Sequence, residues 1–222
     1  MQFDTPAPVS VALDVPAGRI RFIAADRTDT VVEVLPADAT KSRDTKAAEQ
    51  IRVEYGDGVL RIDGPPAKNQ LLGPSGSVEI TVQLPTGSHV EAKAAAAELR
   101  GVGRLGDVVF EGAQGPVKLD ETASARLTVL DGDISVGRLG GPAEISTQKG
   151  DVLVTEAMRG TVTLRTEYGD ISVGAAPGVS ASLDAGTGYG RVHNTLNNTD
   201  GAAAGLAFHA TTAYGDITAR SL

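Results

Sequence analysis

The chain has 222 residues, 41% of them hydrophobic but only 4% aromatic, with 27 Gly, 11 Pro and neither Cys nor Trp. One core can serve a chain of this length, and the missing cysteines exclude a disulfide framework, thiolate metal ligation and a cysteine nucleophile. A net charge of -8 disfavours nucleic acid and anionic lipid surfaces as partners.

The opening MQFDTPAPVS lacks a basic segment followed by an apolar stretch, and no window reaches about 18 consecutive apolar residues. The expectation is a cytoplasmic protein without membrane insertion. Residues 9–15, 19–24, 30–35, 51–55, 59–63 and 77–84 alternate apolar and polar side chains, which predicts strands. Pro16-Ala17-Gly18, Asp57-Gly58 and the stretch from Gly64 to Gly76 supply turn residues between them. Lys41 to Gln50 is the one segment here that reads equally as helix or surface loop. Residues 1–85 are accordingly expected to form an antiparallel β cap.

Past residue 85 the chain repeats. Gly-Asp-Ile/Val recurs at 132, 150, 169 and 215, Gly190-Arg191-Val192 is a variant, and Gly115-Pro116-Val117 and Ala97-Glu98-Leu99 hold the same register upstream. A second strand lies between successive turns: 107–112, 125–130, 143–147, 161–166, 180–185 and 206–211. Two aliphatic columns result, one of Leu99, Val117, Ile134, Val152, Ile171, Val192 and Ile217, the other of Phe110, Leu127, Ile145, Leu164, Leu183 and Phe208. A two-strand unit cannot bury its apolar side alone, so copies must stack in parallel. This predicts an all-β chain whose residues 86–222 form a right-handed parallel β-solenoid of about seven two-strand rungs, on the order of 30 Å long at the usual ladder spacing. The run 92–100, rich in Ala, has high helix propensity; Leu99 in the repeat register assigns it to a strand.

These turns, with SGSVEITVQLPTGSHVEA before them and GRIRFIAADRTDTVVEV, AAEQIRVEYGDG and YGRVHNTL elsewhere, resemble a bacterial β-strand-repeat family of unknown function whose members carry a provisional adhesin label. The resemblance implies a parallel β-solenoid with an N-terminal β cap, and supplies no catalytic residues. A surface adhesin is the localisation and role it adds as an alternative.

Asp133, Asp151, Asp170 and Asp216 hold equivalent turn positions, with Glu98 at the far end, and Pro116 and Arg191 replace the acid in two rungs. A carboxylate ladder suits a hard cation; Asp after Gly also suits a turn for its own sake. The turn reading is preferred, so no metal or other cofactor is expected. Arg191 is expected between Asp170 and Asp216. All four tyrosines precede a glycine, and Tyr168, Tyr189 and Tyr214 fall in successive rungs. Stacked, they either stiffen the coil or form a platform for a sugar or protein. His89, His193 and His209 lie in separate rungs without ligand spacing. No nucleophile elbow or phosphate loop is present.

The sequence therefore points to a non-enzymatic structural or interaction scaffold with no catalytic residues. Its candidate surface comprises Tyr168, Tyr189, Tyr214, Asp170, Arg191 and Asp216. The final strand, 215–222, reads as an uncapped end that invites self-association. An unidentified protein or glycan is the other candidate partner, with a carbohydrate-binding or adhesin role as the alternative.

Overall fold

A computed structural model describes residues 1–65 and 76–222. The stretch Gly64 to Gly76, read as turn sequence, lies mostly outside the described residues. The described residues are all-β apart from one short α-helix and a 3₁₀ turn at Gly201–Ala203, and the mixed sheet divides into two compact units, Met1–Gly115 and Pro116–Leu222.

In the first unit, β1 (Gln2–Asp4), β2 (Ser10–Ala25), β3 (Asp29–Pro36), β4 (Arg52–Gly56), β5 (Val59–Asp63), β6 (Val78–Pro85) and β7 (His89–Gln114) follow the expected strands, with two predicted strands fused into β2. The segment 92–100 is extended within β7. Ala92, Ala94 and Ala97 are buried while Ala95 and Ala96 are exposed, and pairing with β2 supplies bonds that outweigh helix propensity. Lys41 to Gln50 resolves as α1 (Ser42–Gln50). Buried Asp44 anchors it by accepting the Ser77 N–H at 3.0 Å. Just ahead of it, the hydroxyl and N–H of Thr40, with Lys41 alongside, hold the Asp38 carboxyl down to about 2.

The expected antiparallel cap needs correction. β1 with β3, β3 with β6 and β4 with β5 pair antiparallel, whereas β2 runs parallel to β5, β6 and β7. The parallel ladder therefore crosses the expected boundary at residue 85. Gly18-Arg19-Ile20 already holds the repeat register, because Gly18 pairs with both Val78 and Ala97.

The second unit contains β8 (Val117–Asp131), β9 (Ile134–Leu139), β10 (Ala143–Lys149), β11 (Val152–Ala157), β12 (Gly160–Tyr168), β13 (Ile171–Ala175), β14 (Ala181–Tyr189), β15 (Val192–Thr195), β16 (Leu206–Tyr214) and β17 (Ile217–Ser221). The pairings among these strands are parallel. One ladder runs from the first half of β8 through β9, β11, β13 and β17 to β15. The other runs from the second half of β8 through β10, β12 and β16 to β14. The spatial order thus departs from chain order. The chain passes through β14 and β15, returns by residues 196–205, and inserts β16 and β17 between the β12–β13 layer and the β14–β15 layer.

Two expectations fall with this order. The last strand is not an open end, because β17 is flanked by β13 and β15, so it cannot supply the exposed edge invoked for self-association. The open layer is β14–β15. In addition, Leu183 and Phe208 pair in the row of Val162, two residues from the row of Leu127, Ile145 and Leu164. The other column holds, as Val117, Ile134, Val152, Ile171, Ile217 and Val192.

The core of this unit is aliphatic apart from Phe208 and closed in its interior layers. Leu164, Ile171 and Ala210 are fully buried, while Val192 in the open layer is 43% exposed. Asn194 occupies a position held by Val136, Val154, Val173 and Ala219 in the layers beneath. Truncating Leu164→Ala should cost about 2–5 kcal/mol, and Leu183→Ala, half-buried at the open layer, well under half as much. Urea unfolding of the two variants checks this ranking.

Candidate functional site

The turns of the second unit are built from four residues. Gly150, Gly169, Gly215 and Gly190 each lie where a Cβ would stand 2.0–2.3 Å from the glycine carbonyl oxygen of the layer beneath, namely Gly132, Gly150, Gly169 and Gly215. No side chain fits there. Three residues before each glycine stands a threonine, and its hydroxyl donates to that same carbonyl. Thr147 reaches Gly132 at 3.2 Å, Thr166 reaches Gly150 at 3.0 Å, Thr212 reaches Gly169 at 3.0 Å, and Thr187 reaches Gly215 at 2.9 Å.

The aspartate ladder is engaged in the same way. Asp133 Oδ1 accepts the N–H of Asp151 at 2.9 Å, Asp151 that of Asp170 at 2.8 Å, Asp170 that of Asp216 at 2.7 Å, and Asp216 that of Arg191 at 2.8 Å. Each carboxylate thus ties one layer to the next, as the turn reading expects. Among the described residues no cluster of His, Asp and Glu is arranged to hold a metal ion. The ladder order also moves Arg191: it stands beyond Asp216 in the open layer, and not between Asp170 and Asp216.

Beside the turns runs a row of side chains in the order Asp131, Lys149, Tyr168, Tyr214, Tyr189. Lys149 Nζ lies 3.9 Å from Asp131. The rings of Tyr168 and Tyr214 stack with centroids 5.1 Å apart and planes within 1°, and those of Tyr214 and Tyr189 at 4.9 Å and 4°. Tyr214 is the middle ring, so the expected succession of Tyr168, Tyr189 and Tyr214 is corrected. Tyr189 is 71% exposed against 48% for Tyr214, because its outer side meets no further layer.

The site residues read from sequence therefore do converge: three tyrosines, Asp170, Asp216 and Arg191 form two adjacent rows ending in the open layer. The histidines do not join them. His89 pairs with Asp107 in the first unit, His209 with Asp184 on the sheet face of the second, and His193 is exposed on β15. A shallow groove of about 170 Å³ lies over β11, β13 and β17, lined by Leu153, Ser172, Thr218 and Arg220. That is smaller than the ~300 Å³ at which small-molecule sites begin.

A sequence family described as Toastrack DUF4097 matches residues 45–218. The chain belongs to this family. Three solved structures are similar across nearly the whole Toastrack chain. A provisionally named adhesin from Bacteroides fragilis shares 15% identity over 99% of this chain and 95% of its own, with a TM-score of 0.49. A provisionally named cell adhesion protein from Clostridium sporogenes shares 12% over 100% and 98%, at 0.41. A provisionally named lipid binding protein from Parabacteroides distasonis shares 13% over 98% and 95%, at 0.38. No curated protein sequence matches.

Sequence reasoning missed the threonines. The signal was available, since Thr147, Thr166, Thr187 and Thr212 each stand three residues before a turn glycine.

Two stability measurements follow. Asp170→Ala should cost about 1 kcal/mol by removing an amide acceptor, whereas Asp170→Asn, which keeps an acceptor oxygen, retains most of that stability. Tyr214→Ala, losing two stacked neighbours, should lower the melting temperature more than Tyr189→Ala, which loses one; each stacked pair is worth about 0.5–1.5 kcal/mol. Equal losses would contradict the middle placement of Tyr214.

Proposed function

We propose that this chain is a non-enzymatic interaction scaffold that binds a protein partner through the β14–β15 layer of its second unit. One observation carries the reading. Inner strands of the parallel stack are paired on two sides, while β14 pairs only with β16 and β15 only with β17 among the described residues. Free strand edges are a recurring means of binding an extended peptide. A role without catalysis is supported by the engagement of the ladder carboxylates with backbone N–H groups. The finer architecture we propose for each unit is a right-handed parallel β-solenoid, since parallel crossovers take that hand almost without exception.

The test is site-directed photo-cross-linking in the native cell. A cross-linking residue at Gly186, beside whose Cβ position no atom lies within 4 Å, should yield a discrete adduct with one protein. The same residue at Arg126, on the exposed face of β8, should not. Equal yields from both positions would overturn the open layer as the working surface. Glycan-array binding that disappears in Tyr189→Ala would replace a protein partner with a sugar.

A further inference from the structure

The chain itself shows what sits against the Tyr189-Gly190-Arg191 turn. On its inner side lies Tyr214-Gly215-Asp216, in register, ring on ring and glycine on glycine. Beneath that lies Tyr168-Gly169-Asp170, with Thr166 at the threonine position just as Thr212 and Thr187 hold it above. Threonine, tyrosine and glycine are thus laid down three times, with Arg191 in place of the aspartate in the third copy, whose outer side is free.

We infer that this outer side accepts an extended strand of a partner protein with the sequence threonine, any residue, aromatic, glycine, acidic residue, added in parallel register as a further layer. The inference rests on the open-layer reading above and specifies its occupant.

Each element of that sequence answers a feature of the open layer. The outer face of Tyr189 is bare, and an aromatic ring in register would stack on it as Tyr189 stacks on Tyr214. The Gly190 carbonyl occupies the place where every inner layer admits only glycine from the layer above, so a side chain at the next position would collide with it. The same carbonyl is the acceptor for a threonine hydroxyl three residues earlier, as Gly132, Gly150, Gly169 and Gly215 are.

The acid follows from Arg191. Inner layers present a carboxylate at this position that accepts the next layer's N–H, and Arg191 has no acceptor to offer. It offers a guanidinium instead. Among the described residues none of the ion pairs includes it. Charged neighbours paired along this unit's strands are of opposite sign, Arg126 with Glu144, Arg138 with Glu156, Lys149 with Asp131 and His209 with Asp184. The turn row instead stacks Asp133, Asp151, Asp170 and Asp216 through their N–H bonds and changes sign only at Arg191. An incoming acid in register with Arg191 meets an opposite charge, as Asp216 does on the inner side, and a strand with a basic residue there is repelled.

The Arg191 substitution also weighs against a second copy as occupant. Two copies meeting through this layer would bring Arg191 and Tyr189 of each chain to one interface without the Gly-Asp turn that complements them, and both carry a net charge of -8.

The probe is a fluorescently labelled peptide with the chain's own sequence 211–218, Thr-Thr-Ala-Tyr-Gly-Asp-Ile-Thr, titrated with the full chain and followed by anisotropy. Saturable binding is expected. Replacing the peptide glycine by alanine should abolish it. Replacing the peptide aspartate by lysine should weaken it about fivefold, the scale of one exposed ion pair. The lysine peptide should regain affinity for the Arg191→Glu protein, a swap that a merely unfolded variant cannot produce. No binding by any peptide, or binding indifferent to both the glycine and the charge swap, overturns the inference. Concentration-dependent dimer mass in light scattering that is lost in Arg191→Glu would assign the layer to a second copy and overturn it as well. A position-specific cross-link at Gly186 without peptide binding would leave the open layer as the working surface and refute only this strand chemistry.

Discussion

The second unit depends on how closely one turn approaches the next. With a Cβ position only 2.0–2.3 Å from the carbonyl oxygen beneath, Gly150, Gly169, Gly190 and Gly215 cannot carry a side chain. That contact brings the turns near enough for a threonine hydroxyl to reach the glycine carbonyl and for an aspartate oxygen to reach the next N–H. Backbone pairing fixes the strands at ladder spacing along their length, and the turn bonds repeat that spacing where the ladder would otherwise fray. Register is set twice over, once by the aliphatic rows and once at the turns. A one-residue slip would break both sets at once.

The aromatic row is a product of the same register. Once the glycines are stacked, the residue before each must stack too, and the chain places Lys149, Tyr168, Tyr214 and Tyr189 there. At one end the row is closed by the Lys149–Asp131 pair, and at the other it stops on a bare ring. Structural and recognition roles for the tyrosines are therefore not exclusive. Tyr214 is held on both sides, while Tyr189 has one side held and one free.

Strand identity was legible from period-two alternation, and the turns from Gly-Asp. Layer order was not, because sequence spacing describes neighbours along the chain and the β16–β17 insertion makes neighbours of residues more distant in it. Two traces of the insertion were present: the steps between turns lengthen after residue 169, and Arg191 breaks the Gly-Asp pattern. Both mark the layer that stands last in space. The two-residue error at Leu183 and Phe208 has another origin. Strands such as β12 carry aliphatic residues at both Val162 and Leu164, so a slip by two keeps every apolar side chain on the inner face. The parallel role of β2 was hidden because Gly18-Arg19-Ile20 lacks the acid, although it matches Gly190-Arg191-Val192. The helix at Ser42–Gln50 is tied down by Asp44 accepting the Ser77 N–H, a long-range contact with no local signature.

The interleaved order of β14 to β17 also constrains how the unit can be assembled. Up to β13, each coil finds its neighbour already made, and stacking can proceed by local addition. The β14–β15 coil finds none. Its native neighbours β16 and β17 follow it in the chain, so it cannot take its native place until residues 206–221 have been synthesised. Completing the native stack therefore joins two layers, β16–β17 and β14–β15, where each earlier step adds one. The interleaved order also gives the unit a fixed length, since a duplicated coil placed after β17 would begin in the middle of the stack, where no edge is free to receive it.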